Sequence, residues 1–263
     1  MCLIVLAHEA HPRYRLIVAA NRDEFYARPT APAGWWDDAP GLLAGRDLRG
    51  GGTWMGITRG GRFAAITNVR DMTAVPPGTP SRGELVSGFL RGSASAEAYA
   101  REVAVRGRDH AGFNLLVADG ESMWYVTNRA ADAVQLAPGV YGLSNATLDT
   151  PWPKVVRARD AMRSALEAAD DREWNAGLWS MLTDRVAAAD HDLPDTGVGA
   201  VRERVLSSPF IASDEYGTRA STLLTISREG EVHFVERTVA GGPPSEVSFR
   251  FQIGDAATSS TTP

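Results

Sequence analysis

The sequence predicts an α+β protein in which two antiparallel β-sheets stack face to face between two outer layers of helices. Three observations lead there. The predicted elements run strands, two helices, strands, two helices, strands; runs of strands broken by helix pairs suit antiparallel sheets with helices outside. The chain opens with two continuous apolar runs, residues 3–7 and 16–20, on either side of a polar turn. Runs this short and apolar throughout fit strands buried on both faces. Glycine turn signals then recur between strand-like segments, at Gly60-Gly61, Asp119-Gly120 and Glu229-Gly230, and such pairs mark hairpins.

In chain order, the first hairpin joins residues 3–7 to 16–20 through His8–Arg13, where His8 and His11 read as solvated turn residues. The second strand runs directly into the polar cluster Asn21-Arg22-Asp23-Glu24. Residues 26–52, rich in Pro, Gly and Trp, read as a long ordered loop whose Trp35 and Trp36 line a pocket, with Gly50–Gly52 as a tight turn. A hairpin follows over residues 53–58 and 63–68. Ser81 and Glu84 have capping-box spacing and predict a helix to about Arg91. Ser95 caps a second helix ending near Gly107. Strands are expected at 113–118, 123–127, 134–136 and 140–144. Thr150-Pro151 opens a helix to about Ala169, since proline suits a first turn. A further helix over 174–189 presents Leu178, Met181 and Leu182 on one face. Residues 190–215 read as irregular. Strands close the chain at 221–226, 232–236 and 247–253. One domain is expected over residues 1–255, with a small, polar, disordered tail over 256–263.

The formal net charge of −5, from 27 basic and 32 acidic residues, argues against a protein that coats nucleic acid, because no large counterion-release term is available. Lys154 is the only lysine among the basic residues. Arginine suits bidentate recognition of carboxylates and phosphates; equally, arginine-rich and lysine-poor usage follows from a GC-rich genome. A single cysteine, Cys2, excludes an internal disulfide and a thiolate zinc site. The five histidines show no metal-ligand spacing, and residues 50–52 lack the lysine and helix of a phosphate loop. No apolar run reaches membrane-spanning length. Met1 to Ala7 lacks the positive segment of a signal peptide. The expected compartment is the cytoplasm; oligomeric state is open.

Cys2 carries the most chemical information. Removal of Met1 would leave a thiol and a free α-amine on one residue. A thiol of pKa ~8.5 is mostly protonated at neutral pH, and an α-amine of pKa ~7.7–8.0 is a built-in base for it. The competing reading makes Cys2 a small buried apolar residue. The first hairpin weighs against that reading, because antiparallel pairing returns Asn21–Asp23 to the side of Cys2. An arginine there lowers a thiol pKa, an aspartate orients an ammonium, and an asparagine donates to an oxyanion. The competing reading of this cluster is a charged turn that pairs with itself. Asn68, Asn145 and Arg219 lie at strand ends and are weaker candidates, since such residues are commonly turn residues or surface charges.

Several motifs in order resemble the NRDE family, which includes the transport and Golgi organisation protein 2 group. They are Met1-Cys2-Leu3-Ile4, Asn21-Arg22-Asp23-Glu24-Phe25, Gly45-Arg46-Asp47, Gly51-Gly52-Thr53-Trp54, Thr67-Asn68-Val69-Arg70, Gly142-Leu143-Ser144-Asn145 and Tyr216-Gly217-Thr218-Arg219. That family is similar to the cysteine N-terminal-nucleophile amidases. The resemblance implies a four-layer αββα sandwich of N-terminal-nucleophile hydrolase type. It also implies that Cys2 is nucleophile and base, Asp23 binds the α-amine, Arg22 sits beside the thiol, Asn68 helps form an oxyanion hole, and Asn145 and Arg219 complete the pocket. In those amidases the arginine and aspartate are usually separated, whereas here they are adjacent. The expected activity is cofactor-independent hydrolysis or acyl transfer on a small amide or thioester. Because family members are linked to secretory organisation, lipid or acyl-CoA metabolism and haem trafficking, a non-catalytic haem or acyl-CoA carrier is the alternative.

Overall fold

The computed structural model describes residues 2–168 and 170–254. The first apolar runs form β1 (Cys2–His8) and β2 (Tyr14–Phe25), paired antiparallel with Cys2 opposite Arg22 and Leu3 opposite Asn21. Strand β2 therefore continues five residues past its apolar run, and the polar cluster is strand, not turn. The connecting turn differs from expectation at His11. Its ring is buried, and its Nδ1 accepts the backbone N–H groups of Arg13 and Tyr14 at 3.1 and 3.2 Å.

The segment expected as a loop is a hairpin, β3 (Thr30–Trp36) and β4 (Ala39–Asp47). Pro32 and Gly34 sit on the edge strand β3, whose pairing with β4 has register shifts, so a missing donor there breaks no ladder. Gly50–Gly52 turns the chain as expected, and Gly52 packs so closely on Gly83 that an added Cβ would lie 2.5 Å from a backbone carbon. Strands β5 (Met55–Thr58) and β6 (Phe63–Asn68) follow. Helix α1 (Gly83–Arg91) begins without a side-chain cap, so the Ser81/Glu84 spacing is no capping box; Ser95 does cap α2 (Ala96–Arg106), accepting from the Ala98 N–H at 3.1 Å. Strands β7 (Phe113–Ala118), β8 (Met123–Thr127), β9 (Val134–Gln135) and β10 (Gly139–Leu143) lead to helices α3 (Pro153–Glu167) and α4 (Asp171–Leu182). Helix α4 stops seven residues short of expectation. The irregular stretch contains a short helix, α5 (Ala200–Val205), and the chain closes through β11 (Tyr216–Ser227), β12 (Glu231–Thr238) and β13 (Ser245–Gln252). The tail expected to be disordered lies outside the described residues.

The strands form two antiparallel sheets, ordered β10-β1-β2-β11-β12-β13 and β3-β4-β5-β6-β7-β8-β9. Three apolar layers hold them in the expected αββα sandwich. Ile4, Val18, Leu43, Phe63, Leu116 and Phe234 fill the space between the sheets. Leu85, Phe89 and Val103 pack α1 and α2 on the seven-stranded sheet. Val155, Met162, Leu178 and Leu182 pack α3 and α4 on the six-stranded sheet. Alternate residues of β1 and β2 thus serve two cores, which explains their unbroken hydrophobicity. Each such buried side chain contributes about 1.5–3 kcal/mol. Among the described residues no helix is long and apolar enough to cross a membrane.

Candidate active site

At one end of the sandwich the inward-facing positions turn polar. On β2 the inward series Val18, Ala20 continues as Arg22 and Glu24; on β12, Val232 and Phe234 continue as Glu236 and Thr238. Period-two alternation keeps all of these on one face. The sheets separate there around a cavity of about 480 Å³, lined by Cys2, Arg22, Asp23, Asn68, Arg219 and Glu236, with the start of α1 and Trp54 on its walls. Trp35 and Trp36 do not line it. Trp35 packs on Phe251 and beneath Arg59, and Trp36 donates to the Ala44 carbonyl in the outer core.

Cys2 is 7% exposed and begins β1 on the cavity face. Burial pushes its thiol pKa up; the Asp23 carboxylate acts in the same direction, and the Arg22 guanidinium and a hydrogen bond from the Asp23 backbone oppose it. Arg22 is buried, and its Nη1 lies 3.5 Å from the Thr30 hydroxyl. Asp23, next along the strand, accepts from Thr218 at 2.7 Å. Burial raises the Asp23 pKa, and the Lys154 ammonium is the largest influence against that rise. Asn21 takes no part in the cavity. Its amide donates to the Leu182 and Pro209 carbonyls at 2.8 and 2.9 Å, and it accepts from Ser221.

Asn68 and Asn145 meet at the end of β6. The Asn145 Nδ2 donates to both oxygens of Asn68, Oδ1 at 3.0 Å and the backbone carbonyl at 3.1 Å. The Asn68 Nδ2 itself lies 3.4 Å from the Val69 carbonyl, a long hydrogen bond. Ser144 extends the chain, with its hydroxyl 2.9 Å from the Cys2 carbonyl and 3.1 Å from Asn145 Oδ1. Asn145 thus stands one hydrogen bond behind the cavity wall. Arg219 is the extra residue of a β-bulge between Thr218 and Ala220, and bulges re-aim side chains beside sites. Its Nη1 donates to the carbonyls of Phe25, Tyr26 and Arg28 at 2.7–2.9 Å, and its Nη2 to Gly241 at 3.1 Å. Its guanidinium is spent on the cavity wall.

Four charged residues near this site were not singled out from the sequence. Glu236, 4% exposed, accepts from the Ala33 N–H at 2.7 Å, and burial raises its pKa. Arg70 and Glu203 form a buried ion pair at 2.5 Å, with Trp152 against the guanidinium. Lys154, at the start of α3, is 1% exposed, and its Nζ has no hydrogen-bond partner among the described residues. Helical spacing would have exposed it, since Lys154 falls in line with Ala158, Met162 and Ala165 on the buried stripe.

The architecture is that of the N-terminal-nucleophile hydrolases. The Caenorhabditis elegans N-acylethanolamine-hydrolyzing acid amidase (NAAA) ortholog has a similar fold, with a TM-score of 0.50 at 10% identity, covering 85% of this chain and 92% of that one. The family model described as Transport and Golgi organisation 2 matches residues 1–241, and the chain belongs to that family. The Transport and Golgi organization protein 2 homolog of Bos taurus is 37% identical, spanning 93% of this chain and 95% of its own length. The Homo sapiens homolog is 35% identical, spanning 91% and 93%.

Proposed function

We propose that the protein is an amide or thioester hydrolase, or an acyl transferase, with Cys2 as nucleophile once Met1 is removed. One observation carries the reading: the only cysteine of the chain starts β1 on the floor of an inter-sheet cavity, opposite Arg22 and beside Asp23. In the reaction the S–H bond breaks as the S–C bond to the substrate carbonyl forms, and the proton passes to the Cys2 α-amine. The α-ammonium then returns the proton to the departing amine or thiol, and water or an acceptor amine resolves the acyl-enzyme. A thiol held protonated by burial fits this order, because the proton leaves during attack and not before it. Asp23 is the counter-ion for the ammonium, Arg22 supports the developing thiolate, and the Asn68 amide is the oxyanion donor held by Asn145. Arg219 shapes the cavity.

Acyl amides and thioesters of graded chain length, screened for release of the leaving group, test this reading. Cys2→Ala is expected to lower turnover by at least about 10³-fold with the fold intact, as removal of a nucleophile does; undiminished turnover in the variant would overturn it. The same raised thiol pKa suits a second reading, a carrier that binds acyl-CoA without turnover, whereas a haem carrier would have to draw the thiolate form from that thiol. Among the described residues lining the cavity, Cys2 is the soft axial ligand type and no histidine is present, so the haem version rests on Cys2. A Soret shift on haem titration that Cys2→Ala abolishes supports the carrier; no shift removes its haem version.

A further inference from the structure

Lys154 is an anomaly that the reaction as described does not use. A lysine ammonium is almost never fully buried without a partner, because the desolvation cost is several kcal/mol. Here the only lysine of the chain is on the buried stripe of α3, and its Nζ has no hydrogen-bond partner among the described residues. The charged and titratable groups around it come from every neighbouring element. They are Cys2 of β1, Asp23 of β2, Arg70 after β6 and Glu203 of α5, with Tyr216 of β11 adjoining Asp23, Cys2 and Arg70. Two acids, Asp23 and Glu203, face two bases, Arg70 and Lys154. Arg70 is joined to Glu203, and Asp23 and Lys154 are each the largest charge acting on the other.

We propose that Lys154 is a positioning residue for the Cys2 amine: the buried ammonium and the Cys2 α-amine share Asp23 as a counter-ion, and the lysine charge holds the α-amine in its proton-accepting form. This rests on reading Cys2 as an N-terminal nucleophile. An α-ammonium added beside Asp23 would join Lys154, Arg70 and the buried Arg22 opposite Cys2, an accumulation of positive charge that low dielectric disfavours. The two amines therefore titrate as a pair. The ordinary α-amine value, ~7.7–8.0, is low enough that the charge of Lys154, which still carries its proton at neutral pH, brings the α-amine to its neutral form. An α-amine poised this way is a better base at neutral pH than one left protonated. Burial pulls the lysine itself down to about 8, with Asp23 the largest influence against that fall.

Because Lys154 is the only lysine, protein labelled with [13Cε]lysine gives one resonance, and its titration needs no assignment. The expected midpoint lies well below the ordinary lysine value, and Asp23→Asn lowers it further because the counter-ion is gone. A midpoint at the ordinary value of ~10.4, or one that Asp23→Asn leaves in place, would overturn the proposal. A second measurement reads Cys2: its alkylation rate by iodoacetamide as a function of pH in the full chain. Lys154→Met removes a cation that favours the thiolate and the free amine, so the midpoint rises by about one pH unit. Lys154→Arg restores the charge and the midpoint. A lysine with only a packing role would give Lys154→Met a lower melting temperature with an unmoved alkylation midpoint, and that result also overturns the proposal. Failure of the nucleophile reading is separate: it appears as unchanged turnover in Cys2→Ala, whatever the lysine titration shows.

Discussion

Arg219 shows how a charged side chain can serve a cavity without facing a ligand. Its guanidinium donates to four backbone carbonyls on two segments, 25–28 and Gly241. Gly241 has φ 76°, and a Cβ there would lie 2.5 Å from the Arg219 guanidinium carbon, so the arginine and the glycine require each other. Arg219→Ala removes the donor from four carbonyls in part-buried hydrogen bonds and is expected to cost about 1–3 kcal/mol in denaturant unfolding. A change below about 1 kcal/mol would mean the wall holds without it. Residue-level chemistry was legible in the sequence where topology is local: hairpin pairing alone places Arg22 and Asp23 beside Cys2. It was not legible for Arg219 or Asn145, whose roles depend on carbonyls and amides contributed by distant segments. Lys154 was visible as the sole lysine, and its periodicity on α3 was the overlooked signal.

At the scale of elements, caps and registers separate two serines with similar local sequence. Ser95 accepts from the Ala98 N–H, whereas Ser81 caps nothing. Ser95→Ala is expected to lower stability by about 1 kcal/mol, and Ser81→Ala by less than about 0.5 kcal/mol, measured by urea midpoints. Equal losses would contradict the assigned helix starts. The hairpin of β3 and β4 escaped the sequence reading because its prolines and glycines occupy an irregular edge pair, which carries loop composition. Glu236 escaped for a different reason. In Val232-His233-Phe234-Val235-Glu236 the alternation that puts Val232 and Phe234 inside also puts the carboxyl inside, but a glutamate at a strand end ordinarily marks solvent.

At the scale of the molecule, two sheets that must cover both faces of β1 and β2 demand a third and fourth layer, so the αββα order followed from the two continuous apolar runs and the helix pairs. Cavity shape did not follow, because it is set where β2, β6, β11, β12 and α1 end together, far apart in sequence. The arrangement places Cys2 on the cavity between the sheets, and the account stands on that cysteine forming an acyl-enzyme. Intact-mass spectrometry after brief exposure to a p-nitrophenyl acyl ester tests it most directly. The account predicts a chain lighter by one methionine residue and carrying one acyl group, with the acyl group absent in Cys2→Ala. A chain that retains Met1 and stays unacylated would contradict it.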